Sequence, residues 1–261
     1  MRLRSKQIKN LLTSPYFSST KLMEESVYRR FSSEKNISFF MDRAFHGLTP
    51  SELPVKASIA QYAEEVNEIG KTNARLLLIG CGTGREAFAL EDLPIEIFAM
   101  DIVPQMIESA QACAEMIDSR VHFFCNCFPN LNDLNEHRVE LIFISSYVLN
   151  FIQGSENRVH YLAKLRNLLS ENGKIYIRPS IKRIPFFSSK YFISKLLKLS
   201  SWLHGWDYEK GDHAISNYPT EGEAMYFYHY PNENEFRQEV IKAGYSLERL
   251  SDDWFTLALV Q

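Results

Sequence analysis

The chain has 261 residues, of which 45% are hydrophobic and 23% are charged, a balance typical of a folded globular protein and not of a disordered one. Its 29 basic and 32 acidic residues leave a formal net charge of −3, so a nucleic-acid partner is disfavoured and would need a local basic patch. The longest apolar runs are shorter than the roughly 20 residues that span a bilayer, and four cysteines in a chain of this length indicate a reducing, cytoplasmic setting.

Residues 1–54 are predicted to form a basic arm and a helical cap in front of the main domain. The first 23 residues contain five cations and no acid, a composition that mitochondrial presequences share. The segment SPYFSS interrupts any long amphipathic helix there, so a solvated arm is the preferred interpretation. Over residues 21–54 we expect a helical cap.

The next part of the chain alternates between predicted helices and strands. Apolar residues recur at helical spacing over 55–69, and a continuous apolar strand is predicted at 76–79. A short helix at 85–90 and a strand at 95–100 follow. Pro104 is placed to begin another helix, because the missing N–H of proline costs nothing in the first turn.

The alternation continues to residue 178. Strands are predicted at 121–125 and 140–145, a helix at 157–170 and a further strand at 174–178. Gly173, in the sequence ENG, is expected to end that helix by reversing the chain. Strands that alternate with helices of this length predict βαβ units and a parallel sheet.

The segment 179–230 has a different composition, because it is rich in aromatic residues and its cations have no acidic neighbour until Asp207. A predicted helix here carries apolar residues on one face with lysines around it. We expect that face to pack on the core as part of a lid, and docking to an anionic surface or membrane interface is the alternative. The apolar residues of the face are Phe192, Leu196, Leu199 and Leu203.

The end of the chain is predicted to add an antiparallel hairpin to the sheet. Asn232, followed three residues later by Glu235, is typical of a capping box at the start of a helix. Two strands come next, at 245–250 and 255–261, and only the short turn SDDW joins them. So short a connection requires the two strands to run antiparallel.

The turn after the first strand contains three glycines within five positions, Gly80, Gly82 and Gly84, although the whole chain has only 11. Glycine permits positive φ and leaves no Cβ to hold a ligand away from the backbone. A strand-to-helix turn of this kind indicates a nucleotide-like cofactor. The third glycine follows the second by two residues, whereas the dinucleotide fingerprint places it three residues later.

Together with these elements, five motifs resemble those of the class I S-adenosylmethionine-dependent methyltransferases. The motifs are LLLIGCGTG, IFAMD, VHFFCNCF, VELIFISSYVLNFI and LRNLLSENGKIYIR. The resemblance covers residues 55–178 and 231–261. It implies an α/β fold, a three-layer α/β/α sandwich whose seven-stranded, mostly parallel sheet ends in an antiparallel hairpin. It also implies a methyltransferase domain over 55–261 with a substrate-lid insert at 179–230, and S-adenosyl-L-methionine as cofactor, with S-adenosyl-L-homocysteine as product.

The resemblance implies a set of cofactor-binding residues. The glycine turn would pack against the methionine and ribose parts, and Asp101 would accept hydrogen bonds from the ribose hydroxyls, unless it only caps the following helix. Ile102 would lie against the adenine. Asn126 or Cys127 replaces the acid that the family usually places after the third strand, so backbone contacts to adenine are the alternative to a side-chain contact. The full set is Gly80, Cys81, Gly82, Thr83, Gly84, Asp101, Ile102, Asn126, Cys127 and Ser145.

Three residues are candidate catalytic bases. His213, beside Asp212, comes first because imidazole titrates near neutrality; His229 is second and Tyr147 third. His229 lies in an aromatic, strand-like run, where a histidine is more often packed and hydrogen-bonded than catalytic. No carboxylate ends the fourth strand, so no metal site is expected there.

The implied function is methyl transfer to an oxygen or nitrogen atom of a small-molecule acceptor, such as a metabolite, sugar or natural product. The absence of a [DN]-P-P-Y motif disfavours methylation of base amines. A catalytically silent S-adenosylmethionine-binding subunit or sensor, and a methyltransferase acting on protein or RNA, are the alternatives. The spacing of the glycines and the terminal hairpin disfavour an NAD-dependent oxidoreductase.

Overall fold

The structure is a computed structural model that describes most of the chain. The predicted basic arm and the candidate base Tyr147 lie outside the described residues. The described residues are 34–44, 46–68, 73–128, 132–134, 136–146, 148–181, 189–204, 208–216 and 225–260.

Helices and strands alternate over most of residues 53–177, as the sequence predicts. The helices are α1 (Glu34–Ala44), α2 (Leu53–Glu68), α3 (Arg85–Leu90), α4 (Pro104–Ile117), α5 (Ser155–Leu165), α6 (Ser189–His204) and α7 (Glu233–Lys242). The strands are β1 (Ala74–Ile79), β2 (Ile95–Asp101), β3 (His122–Cys125), β4 (Val139–Ile144), β5 (Leu169–Ile177), β6 (Asp212–Ser216), β7 (Met225–His229), β8 (Tyr245–Arg249) and β9 (Phe255–Leu259). Short 3-10 helices follow β3 and β4, at Asn132–Leu134 and Leu149–Phe151.

Seven strands form one sheet in the order β3-β2-β1-β4-β5-β9-β8. Strands β1 to β5 run parallel, whereas β9 is antiparallel to β5 and β8 is antiparallel to β9. The predicted seven-stranded sheet with a terminal hairpin is confirmed. Ile79 lies beside Met100 of β2 and Ile144 of β4, so the residues that follow these three strands meet at one edge of the sheet.

The hydrophobic core has one cluster on each face of the sheet. Residues of β1 alternate between the clusters, because successive residues of a strand point to opposite faces. Leu77 and Ile79 join the cluster that includes α5 and α7, and Leu76 and Leu78 join the cluster that includes α2. A strand buried on both faces is a continuous apolar run, which is why β1 was predictable.

The predicted starts of α4 and α7 are confirmed. Pro104 occupies the first turn of α4. At the start of α7, the Asn232 side chain accepts a hydrogen bond from the Glu235 N–H (3.0 Å), and the Glu235 carboxylate accepts one from the Asn232 N–H (3.3 Å). These two bonds form the predicted capping box.

The prediction for the residues around Gly173 is wrong. Helix α5 ends at Leu165 and β5 begins at Leu169, so Gly173 lies inside a strand and not at a chain reversal. The pairing of β4 with β5 is irregular here, with Val139 opposite Leu169 but Leu141 opposite Lys174. A Cβ at Gly173 would lie 3.2 Å from the Glu140 carbonyl oxygen, so the glycine permits a bulge rather than a turn.

The insert contributes α6 and a two-stranded antiparallel sheet of β6 and β7, and α6 packs against β6. The predicted packing of the α6 apolar face on the core is wrong for Leu199 and Leu203, which are 44% and 52% exposed. Leu197, Ser200 and Ser201 face inward instead. No helix in the described ranges is long and apolar enough to cross a bilayer.

Helix α1 is the described part of the predicted cap, and it packs against α3 and α4. The Cys113 thiol of α4 lies 3.7 Å from the Met41 sulfur of α1. Helix α2 begins at Leu53, so the predicted boundary between residues 54 and 55 falls inside its first turn. The division into cap, domain and insert therefore remains a proposal.

Candidate functional site

A glycine-rich turn joins β1 to α3 at the carboxyl edge of the sheet. Gly80, Gly82 and Gly84 have φ values of +79°, +54° and +96°, which other residues rarely adopt. The N–H groups of Gly80 and Cys81 donate to the Met100 carbonyl oxygen over 2.8 and 2.9 Å. These bonds fix the turn to the end of β2.

The three glycines have different surroundings. A Cβ at Gly80 would lie 2.5 Å from the Val148 side chain, and one at Gly84 would lie 2.7 Å from the Phe88 ring. A Cβ at Gly82 would meet no described atom within 4 Å. Gly80 and Gly84 are therefore required by packing, whereas Gly82 leaves the turn open on the side where a ligand can lie against the backbone.

Asp101 ends β2 and connects the glycine turn to α4. Its carboxylate accepts hydrogen bonds from the N–H of Gly82 (2.9 Å) and the N–H of Val103 (3.0 Å). Burial raises the pKa of Asp101, and the backbone N–H groups of Val103, Gly82 and Ile102 oppose that rise. The bond from the Val103 N–H holds the residue that precedes α4, but the N-cap of α4 is Val103 and no side chain caps the helix. The ribose contact is compatible with these bonds and remains a prediction, because each carboxylate oxygen has a second lone pair.

The other predicted residues of the turn and of β4 lie nearby. Thr83 and Cys81 are buried within the turn, and burial raises the pKa of the Cys81 thiol. The Ser145 N–H donates to the Ile79 carbonyl oxygen over 3.0 Å, and the Ser145 Cβ would lie 3.5 Å from a Cβ at Gly80. The half-buried Ile102 follows Asp101 directly.

Arg85, which directly follows the glycine turn, forms an ion pair that sequence reasoning missed. The Arg85 guanidinium donates to the buried Glu52 carboxylate over 2.7 Å, although 33 residues separate the two in sequence. Burial opposes ionisation of Glu52, but hydrogen bonds from Arg85 and Thr49 lower its pKa overall. The segment before α2 is thereby bound to the start of α3, a long-range contact without a local sequence signal.

Asn126 is placed beside the end of β2, but its side chain is engaged. The Asn126 N–H donates to the Asp101 carbonyl oxygen over 3.2 Å. The side-chain amide donates to Asp133 (3.0 Å), and the side-chain oxygen accepts from the Phe128 N–H (3.3 Å). Sequence reasoning missed Asp133, which brings an acid to the end of β3 from the 3-10 helix Asn132–Leu134. Cys127 is exposed, and its contact to adenine, like that of Asn126, remains a prediction.

The two histidines predicted as candidate bases are both buried. His213 is 1% exposed, and its ring centroid lies 6.0 Å from that of Tyr230. His229 is 0% exposed. Its Nδ1 lies 2.8 Å from the Asp212 carboxylate and its Nε2 lies 3.1 Å from the Glu235 carboxylate. This geometry matches the packed, hydrogen-bonded alternative for His229, and the catalytic roles remain predictions.

His229 belongs to a buried ionic network that joins the insert to the domain. Arg158 of α5 donates to Glu239 of α7 over 2.7 Å and lies 3.0 Å from the Glu209 carboxylate. Burial alone would lower the pKa of His229, but the hydrogen bonds to Asp212 and Glu235 raise it above its usual value. A protonated imidazole can donate to both carboxylates at once.

Asn150 makes a second connection between the domain and the insert. It lies in the 3-10 helix that follows β4, is 2% exposed, and donates from its amide to the His229 carbonyl oxygen over 2.7 Å. Its side-chain oxygen accepts from the Ser180 N–H over 3.1 Å. The segments after β4 and β5 and strand β7 are thus held together at the carboxyl edge.

Glu209, Asp212 and His229 offer ligand atoms within 4.8 Å of one another, the one such group among the described residues. The group already has its own positive partner, because the Arg158 guanidinium lies 3.0 Å from Glu209. His229 Nδ1, which would have to face the ion, is hydrogen-bonded to Asp212. The geometry therefore supports a network of ion pairs and not a metal centre.

A family model described as "Methyltransferase domain" matches residues 76–173. The match begins in β1 and ends in β5, so it includes the glycine turn, Asp101 and Ser145. A search of curated protein sequences finds no significant match.

Solved structures with the same fold include several methyltransferases. Magnesium protoporphyrin IX methyltransferase from Synechocystis PCC 6803, with bound S-adenosylmethionine, has a TM-score of 0.52 and 14% identity, covering 91% of this chain and 97% of that chain. The CcbJ methyltransferase from Streptomyces caelestis has a TM-score of 0.52 and 18% identity, covering 77% and 89%. An S-adenosylmethionine-dependent methyltransferase from Clostridium acetobutylicum ATCC 824 has a TM-score of 0.52 and 13% identity, covering 79% and 92%. At such identities the structural likeness establishes the fold. The methyltransferase-domain model over residues 76–173 supports the resemblance found in the sequence.

Proposed function

We propose that this S-adenosylmethionine-dependent methyltransferase transfers the methyl group to an oxygen or nitrogen atom of a small-molecule acceptor. The observation that carries the proposal is the open backbone at Gly82, whose N–H donates to Asp101 at the edge where β1, β2 and β4 end. S-Adenosylmethionine has a ribose with two hydroxyls and no phosphate. A carboxylate beside an uncrowded glycine suits that chemistry.

When bound, S-adenosylmethionine would supply an electrophilic methyl group, because the sulfur that carries this group is positively charged. The residues of this chain would act mainly by alignment and by exclusion of water. Asp101 and the turn would orient the cofactor. Asn150, which is buried and bonded to β7, would hold the insert over the same edge.

Aromatic side chains support a small organic acceptor. Phe151, which follows β4, makes an edge-to-face contact with Tyr228 of β7 at 5.3 Å between ring centroids. Tyr228 in turn lies 4.4 Å from Tyr230. Tyr228 is 2% exposed, so the half-buried rings of Phe151 and Tyr230 are the ones that would line a site for a flat or apolar acceptor. The Synechocystis neighbour is a methyltransferase of magnesium protoporphyrin IX.

The four free thiols support the prediction of a cytoplasmic setting.

The burial of His213 and His229 favours an acceptor atom that needs no protein base, such as an uncharged amine, because a hydroxyl needs a base as well as alignment. The same burial also supports the second candidate function, a catalytically silent S-adenosylmethionine-binding subunit. The two functions differ in whether any acceptor receives the methyl group.

Methyl transfer is expected to label small molecules in a cell extract. The protein would be incubated with S-adenosylmethionine carrying a labelled methyl group and with either the dialysable or the macromolecular fraction of the extract. We expect label in the dialysable fraction, with an equal amount of S-adenosylhomocysteine formed. Label in protein or RNA would contradict the small-molecule acceptor, and cofactor binding without transfer in either fraction would favour the silent subunit.

Replacing Gly82 by alanine is expected to weaken S-adenosylhomocysteine binding at least about tenfold, because the new methyl group points into the open space over the turn. Calorimetric titration measures the change. Gly47→Ala is the matched control: Gly47 has φ +60° and likewise meets no described atom within 4 Å, so it carries the same backbone strain. Equal affinity in both variants and the parent chain would contradict a ligand at Gly82.

A further inference from the structure

The outward side of α6 presents large apolar residues and lysines to solvent. Trp202 is 79% exposed, Leu203 is 52% exposed and Leu199 is 44% exposed. Lys195 and Lys198 are also exposed. These five residues occur at helical spacing and form one stripe, which we name the outer face of α6.

The helix departs from an ordinary surface helix, although Leu197 faces inward at 0% exposure. Ser200 is 0% exposed and Ser201 is 8% exposed, so two small polar residues face the domain while the tryptophan faces water. Apolar residues clustered on one exposed surface are typical of an interaction site rather than of a solvated face. The pattern therefore indicates that the outer face of α6 binds a partner.

The charge of residues 179–206 indicates which kind of partner this face binds. From residue 179 to residue 206 the chain contains five cations and no acid, although the whole chain carries a net charge of −3. A second copy of the chain would bring lysines against lysines at this face. An anionic surface would instead be attracted, and lysine side chains can extend past apolar neighbours to reach it.

We propose that the outer face of α6 docks the protein on an anionic lipid surface. Trp202, Leu199 and Leu203 enter the boundary between headgroups and acyl chains, and Lys195 and Lys198 pair with lipid phosphates. The helix has 16 residues and a length of about 24 Å, so it lies along the surface and does not span it. This docking is independent of the acceptor and of methyl transfer.

The test is flotation of the full chain with vesicles of phosphatidylcholine alone or of phosphatidylcholine with phosphatidylglycerol, in the absence of S-adenosylmethionine. We expect binding to the vesicles with phosphatidylglycerol, loss of that binding at high salt, and a blue shift of tryptophan emission. The double variant Trp202→Ser/Leu203→Ser and the double variant Lys195→Gln/Lys198→Gln are each expected to lower the partition coefficient about tenfold or more.

Controls come from exposed residues elsewhere. Met116, which is 74% exposed on α4, provides Met116→Ser, and the exposed Lys242 of α7 provides Lys242→Gln. Both are expected to bind vesicles as the parent chain does. Failure to bind either vesicle, or equal loss in control and α6 variants, would overturn the proposal. Self-association that Trp202→Ser abolishes, without vesicle binding, would overturn it in favour of a second copy. None of these outcomes depends on whether the protein methylates a small molecule.

Discussion

Replacing Arg158 by leucine is expected to lower the free energy of unfolding by about 3–5 kcal/mol, the range for breaking a buried ion pair. Arg158 is 2% exposed and donates from Nε and Nη2 to Glu239, which is itself 2% exposed. Its Nη1 also donates to the Ile152 carbonyl oxygen over 3.1 Å. The substitution would leave Glu239 charged, buried and without that cation. Urea denaturation at neutral pH measures the change.

Two variants separate this effect from a general loss of packing. The double variant Arg158→Leu/Glu239→Leu removes both charges and is expected to recover part of the stability, because Glu239 is no longer a buried carboxylate without its cation. Glu209 still loses its contact with Arg158. Lys56→Met breaks the pair with the exposed Asp92 and is expected to cost less than about 1 kcal/mol. An Arg158→Leu variant as stable as Lys56→Met would contradict the role of the network.

Residues whose roles depend on near neighbours in sequence could be predicted. The glycine turn, Pro104 and the capping box at Asn232 each act within a few residues, and the structure has them where the sequence indicates. Strand β1 was predictable because burial on both faces demands an apolar run. The position of Asp101 at the end of β2 was likewise predictable.

Residues whose roles depend on distant partners could not be predicted. Arg158 meets Glu239 across 81 residues of chain and Glu52 meets Arg85 across 33, and no local pattern marks either pair. The aromatic residues next to His229 in sequence do not show whether its side chain faces a substrate or lies between two carboxylates.

The error at α6 has a related cause. Helical spacing shows that Leu199 and Leu203 share a face, but it does not show whether that face meets the core or the solvent. The buried Ser200 and Ser201 occupy the inward side instead. Only tertiary packing decides between the two arrangements.

Replacing Asp101 by alanine is expected to weaken S-adenosylhomocysteine binding by about tenfold or more, or roughly 1.5–3 kcal/mol, because hydrogen bonds to a charged group are lost. The carboxylate already accepts from Gly82 and Val103, so it is held at the carboxyl edge before any ligand arrives. A preorganised acceptor of this kind loses little entropy on binding. Calorimetric titration below the unfolding temperature of the variant measures the effect.

The same carboxylate also supports the fold, so loss of affinity must be separated from loss of the turn. Asp101→Asn keeps the shape and one side-chain oxygen, and it is expected to bind more tightly than the alanine variant but less tightly than the parent chain. Asp92→Ala removes an exposed carboxylate and is expected to leave affinity unchanged. If Asp101→Ala unfolds earlier yet binds S-adenosylhomocysteine as the parent does, Asp101 supports only the turn and α4, and the ribose contact is wrong.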